Sequence, residues 1–142
     1  MPTRPAPVAA LPGLASFVTL ILLLSQACTG GLCANDVLGT YPAPSGQYEA
    51  ILFVRNCGAT TPFGTNVSVL RPGDQLGDEA GNIFLVAAAP SSHVATNRIG
   101  APLVEVRWLT GDTLLIRHSA GVEIHRQVLI ERGVHVRYAA LP

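Results

Sequence analysis

The chain has no lysine, so its nine fixed positive charges are all arginine guanidiniums, and they are balanced by nine carboxylates to a formal net charge of zero. A chain without basic excess has nothing to neutralise a run of phosphates, which sets nucleic acid aside as a partner. Coding bias explains the missing lysine more simply than selection for bidentate carboxylate or phosphate contacts. Charged residues are only 13% of the chain and aromatics 6%. Missing too are a Gly-x-Ser-x-Gly elbow, a phosphate-binding glycine loop and paired carboxylates, the signatures of common hydrolase and nucleotide-binding sites. The four histidines, His93, His118, His125 and His135, form no close His-x-His or His-x-x-x-His pair, so no metal and no cofactor is expected. What the chain does have is apolar residues, 49% of the total, enough to build a core and too many for disorder.

The N-terminal region is Pro- and Ala-rich, and an apolar run follows from Leu14 to Leu24. Its length of about 11 residues suits a signal-peptide core, whereas a membrane span needs roughly 20. Leu24-Ser25-Gln26-Ala27-Cys28 resembles a bacterial lipobox, in which the cysteine is diacylated and becomes the mature N-terminus. Ser25-Gln26-Ala27 also fits the small-x-small rule of ordinary secretion, and an uncleaved anchor is the third reading. The expected division is a signal peptide over 1–27, a lipidated, flexible tether over 28–45 and one domain over 46–142. The protein is then exported to the cell envelope and attached to the membrane through Cys28, or, failing lipidation, periplasmic or secreted.

Three cysteines are an odd set for an exported protein. Lipidation of Cys28 leaves Cys33 and Cys57 to pair, closing a loop of about 25 residues that contributes roughly 3 kcal/mol on the loop-entropy model. The rival reading makes Cys57 a nucleophile activated by Arg55 and the Gly58 amide, although no partner base is identifiable.

Beyond the N-terminal region no segment carries a helical period, and period-two runs separated by turn residues predict an all-β domain. Strands are expected over 47–55, 67–70, 83–87, 103–108, 113–118, 122–131 and 134–138, about seven in a single antiparallel sheet, sandwich-like or propeller-blade-like. Ala43-Pro44-Ser45-Gly46, Arg71-Pro72-Gly73-Asp74, Thr110-Gly111-Asp112 and Arg132-Gly133 are the turn signals. Trp108 should be a core anchor, and the polar face bearing Glu105, Arg107, Arg117, Glu123, Arg126, Glu131 and Arg137 should be laced by cross-strand ion pairs. Pro44-Ser45-Gly46-Gln47-Tyr48-Glu49-Ala50 also looks like a turn of Tol-type β-propeller blades, but two such echoes cannot close a propeller.

Two loops are candidates for ligand contact. The Asn56–Asn66 loop supplies Thr60, Thr61 and Asn66, and the 88–102 loop supplies His93, Asn97 and Arg98. Arg55-Asn56-Cys57-Gly58-Ala59-Thr60-Thr61, the strand Thr65-Asn66-Val67-Ser68-Val69-Leu70 and Gly81-Asn82-Ile83-Phe84 resemble a family of small, uncharacterised bacterial exported proteins with a Cys-Gly-Ala-Thr-Thr segment. The resemblance covers roughly residues 44–87. It implies export and the strand boundaries, and supplies no catalytic residue. The expectation is a non-enzymatic binding or envelope-structure module whose partner is a protein, peptide or glycan. The alternative is a small thiol-dependent or hydrolytic enzyme centred on Cys57.

Overall fold

The computed structural model describes residues 33–89 and 93–142; the expected signal segment, Cys28 and the first residues of the expected tether lie outside the described residues. Nine strands follow one another: β1 (Ala34–Pro42), β2 (Glu49–Asn56), β3 (Gly64–Leu70), β4 (Phe84–Ala88), β5 (Val104–Trp108), β6 (Thr113–His118), β7 (Val122–Gln127), β8 (Ile130–Glu131) and β9 (Val134–Ala140). No helix occurs among the described residues, so the all-β reading holds. The strands form two sheets where one was expected, in the orders β1-β2-β3-β4-β7 and β5-β6-β9-β8.

The two extra strands have different origins. β1 lies inside the stretch expected to be a flexible tether. Its sequence shows no period of two because, as an edge strand, it buries little of itself. It is held instead by its ladder with β2, which runs from Pro42↔Glu49 to Ala34↔Asn56 with a bulge between Val37 and Gly39. β7 and β8 replace the single strand expected over 122–131. The alternation there is continuous, but β7 pairs with β4 in the first sheet and β8 with β9 in the second. At the crossing the Val128 amide donates to Ile83 O at 2.9 Å. The Tyr138 hydroxyl donates to Val128 O at 2.6 Å and accepts from the Val128 N–H at 3.1 Å. Ile124 and Ile130, expected on a buried face, are 41% and 57% exposed as a result.

The same excursion explains why β6 and β9 pair in parallel, contrary to the antiparallel expectation. Parallel neighbours need a crossover, and here β7, lying in the opposite sheet, supplies it. The hairpin turns follow their residues. Gly46 N–H donates to Ala43 O, Asp74 N–H to Arg71 O and Leu109 N–H to Thr113 O. Arg132 and Gly133 both take positive φ (52° and 83°), as a tight two-residue link between β8 and β9 requires.

The sheets face each other across one core. Ala50, Leu52, Val67, Val69, Phe84 and Val86 come from the first, and Val104, Val106, Leu114, Ile116, Val134 and Val136 from the second. Trp108 packs at its border, and its indole N–H donates to Tyr41 O at 2.8 Å, joining β5 to β1. β2 is also buried on its outer side, through Ile51 and Phe53. Segment 71–82 is tied across that side. Asn35 Nδ2 donates to Gly77 O and Glu79 O, each at 2.8 Å, and Asn66 Oδ1 accepts the Gly81 N–H at 2.9 Å. Asn82 pairs through its side-chain amide with both main-chain groups of Val69.

Candidate functional site

Cys33 and Cys57 are the next opposed positions beyond the Ala34↔Asn56 end of the β1–β2 ladder, with Cα atoms 3.9 Å apart, and they are joined by a disulfide. The expected pairing is therefore present, and Cys57 carries no thiol here. Past the bridge the chain turns sharply. Asn56 Oδ1 accepts from the Gly58 N–H at 3.0 Å, Gly58 takes φ 101°, and the Thr61 N–H donates to Gly58 O at 3.2 Å. The side-chain oxygen of Asn56 mimics a main-chain turn, and only glycine enters that φ without strain. The chain then enters β3 at Gly64, whose missing side chain leaves room for Leu85; a Cβ there would come within 3.1 Å of Leu85 Cδ1.

This turn, the end of segment 71–82 and the outer face of β4 and β7 enclose a groove of about 400 Å³. Gly64, Leu85 and Ala87 floor it, the Cys57–Pro62 turn and Ala80 wall it, and Glu123 and His125 of β7 stand at its edge. Arg55 also borders it but is already engaged, its guanidinium donating to Asn35 Oδ1 at 3.0 Å and to Asp78 O. The floor sits on strands, so the groove exists before a ligand arrives. Its chemistry is that of an apolar slot with one carboxylate, one imidazole and a held guanidinium at its rim.

The residues proposed from sequence separate into three groups. Thr61 lines the groove, and Thr60 is exposed beside it in the same turn. Asn66 is not a loop residue: β3 begins two residues earlier, and Asn66 is fully buried with both ends of its amide used, Oδ1 by Gly81 and Nδ2 by Gly64 O at 3.0 Å. Asn97 and Arg98 border a different, shallower hollow with Leu38 and Ile99, and His93 borders another with Ser119 and Leu141. Asn97 Oδ1 accepts from the N–H groups of Ile99 and Ala101 and so shapes its own loop. Of these three hollows only the groove touches both candidate loops, through Ala88 at its end. Leu85, Ala87, Glu123 and His125 were missed as groove residues. The alternation of β4 and β7 could have placed them on one outer face, had the β4–β7 pairing been known.

Other side chains are accounted for structurally. His118 stacks obliquely on Phe84 with centroids 5.5 Å apart, its Nδ1 3.0 Å from Ser119 O. No group of three or more His, Cys, Asp and Glu among the described residues is placed to hold a metal. Asp112 is held below the usual carboxylate range by hydrogen bonds from the Thr110 and Thr113 hydroxyls, and burial pushes Tyr138 up to about 12. Neither lines the groove. No helix among the described residues is long and apolar enough to cross a membrane. No protein-family model, curated protein or solved structure matches the chain.

Proposed function

We propose that this chain is an exported binding module, tethered to a membrane through a lipid on Cys28, whose ligand site is the groove beside the Cys33–Cys57 bridge. The observation that carries the reading is the groove itself: an apolar floor on paired strands, walled by a turn that the disulfide fastens. Such a slot suits the apolar side chains of a peptide or protein segment. Among the described residues no Phe, Tyr or Trp lines it, so a sugar ring has no large aromatic platform there. A bridged Cys57 favours binding over thiol chemistry, and a disulfide suits an oxidising compartment. The lipobox-like Leu24–Cys28 and the resemblance to small exported proteins support the tether. Cys33 is five positions after Cys28, a fully extended reach of about 17 Å, so an acylated Cys28 keeps the groove close to the bilayer.

Two measurements test this. In the bacterial host, an alkynyl palmitate analogue should label the chain, and Cys28→Ala should abolish the label; absence of label on the unaltered chain means that Cys28 carries no lipid. For the groove, an anilinonaphthalene sulfonate probe should bind the exported protein with enhanced emission. Ala87→Arg should remove that binding while the circular dichroism stays unchanged. Retained binding in Ala87→Arg places the site elsewhere.

A further inference from the structure

Among the described residues β5 is an edge strand, paired with β6 on one side and with no strand on the other. The ladder's phase shows which of its main-chain groups are free. The Leu109 N–H donates to Thr113 O at 2.8 Å and the Ser119 N–H to Leu103 O at 3.0 Å. In an antiparallel ladder residues alternate between bonding inward and outward. Glu105 and Arg107, in phase with Leu103 and Leu109, therefore bond to β6. Val104, Val106 and Trp108 direct their N–H and C=O groups to the open side.

A slot of about 520 Å³ runs along this edge, with Tyr41 of β1 on one side and Val106, Arg107, Leu115 and Arg117 among its lining. The second sheet's outer face is charged unevenly. Register sets Arg107, Leu115 and Arg137 in one cross-strand row and Glu105 and Arg117 in the next. Three guanidiniums share that face with one carboxylate. The expected cross-strand ion pairs are not what balances them: among the described residues the ion pairs within 4.0 Å are Arg132 with Asp74 and Arg132 with Glu131. Outward-directed main-chain hydrogen-bonding groups, a slot of about 520 Å³ along them and arginines outside the ion pairs of the described residues thus coincide.

We propose that the free edge of β5 docks an extended acidic peptide, which adds to the second sheet as an extra strand and sets its carboxylates on Arg107 and Arg117. Main-chain bonds to Val104, Val106 and Trp108 supply the pairing, and charge-assisted bonds to the guanidiniums supply the selectivity. Side chains of an added strand alternate between faces, so the fitting sequence alternates acidic residues on the arginine side with apolar ones toward Tyr41. This site is separate from the groove beside Cys57 and does not depend on lipidation of Cys28.

The probe is an acetylated, amidated peptide of alternating valine and glutamate, titrated against the full exported protein. Trp108, the only tryptophan, reports from the docking strand. Saturable binding is expected, weakened at least tenfold in the exposed double variant Arg107→Gln/Arg117→Gln. N-methylation of one alternating set of peptide amides should abolish binding while methylation of the other set preserves it. Sensitivity at the valine amides means antiparallel addition, and at the glutamate amides parallel addition. Equal loss from both methylated peptides, equal binding of a proline-interrupted peptide of the same charge, or no binding overturns the proposal. So does an arginine-dependent affinity for phosphatidylglycerol vesicles with none for the peptide.

Discussion

Asn66 Oδ1 accepts the amide hydrogen of Gly81 at 2.9 Å, deep under segment 71–82, and the same side chain donates to Gly64 O at 3.0 Å. One buried amide thus fastens the covering segment to β3 and supports the first residue of the groove floor. Replacing Asn66 with leucine leaves the buried Gly81 N–H without a partner and takes a bond from Gly64 O, at about 1–3 kcal/mol for the orphaned donor. Urea unfolding of Asn66→Leu should show a stability loss of about 3 kcal/mol. A neutral result accompanied by lost ligand binding would return Asn66 to the set of ligand contacts.

Gly81 sits so close to the strand beneath it that a Cβ would lie 2.6 Å from Phe84 O and 2.7 Å from Val67 O. Backbone atoms cannot move aside as a flexible side chain does, so Gly81→Ala should destabilise by about 3 kcal/mol, at the upper end of overpacking costs. Gly77 lies in the same segment with nothing within 4 Å of its would-be Cβ. Gly77→Ala should leave the thermal midpoint within about 2 °C of the parent, as expected for a change of no more than about 0.5 kcal/mol.

Joining Cys33 to Cys57 closes a sequence separation of 24 residues. The double variant Cys33→Ser/Cys57→Ser should lose about 3 kcal/mol, read as a lower denaturation midpoint. β1 is an edge strand with no fully buried residue and is the strand the bridge fastens, so hydrogen exchange should quicken first in 34–42. Unchanged exchange there would mean that the β1–β2 ladder alone holds the strand.

How much of this was legible in the sequence depends on where the information resides. Turn residues carry their instruction locally, so Arg132-Gly133 and Arg71–Asp74 were readable, as was the burial of both faces of β2 from its continuous apolar run. The Cys33–Cys57 bridge followed from counting. β1 was not readable, because an edge strand held by its neighbour and a disulfide needs no apolar alternation. The change of sheet between β7 and β8 was hidden for a different reason: the Tyr138 hydroxyl that bonds Val128 at the crossing comes from ten residues further along the chain. Thr61 was placed at the groove by its loop, but Leu85 and Glu123 meet only through strand pairing between distant segments.

That hydroxyl also makes an alkaline test. Burial raises Tyr138 from 10.0 to about 12, opposed by its bond with the Val128 backbone. The folded chain therefore keeps a proton that the unfolded chain releases, and stability is full below pH 10 and lost as pH rises toward 12. With no lysine in the chain, no ammonium titration overlaps this window. Urea midpoints measured from pH 9 to 12 should fall over that range. Tyr138→Phe should start lower and fall less; an equally steep decline in the variant would assign the effect to other groups.

The position of β9 between β6 and β8 has a consequence for how the protein comes into being. Ninth in chain order, it does not add to an edge but fills the interior of its sheet and brings Val134 and Val136 into the core. Until it has been synthesised, β6 lacks its parallel neighbour and Tyr138 is not there to turn the chain at Val128. The nascent chain therefore cannot complete the domain ahead of time.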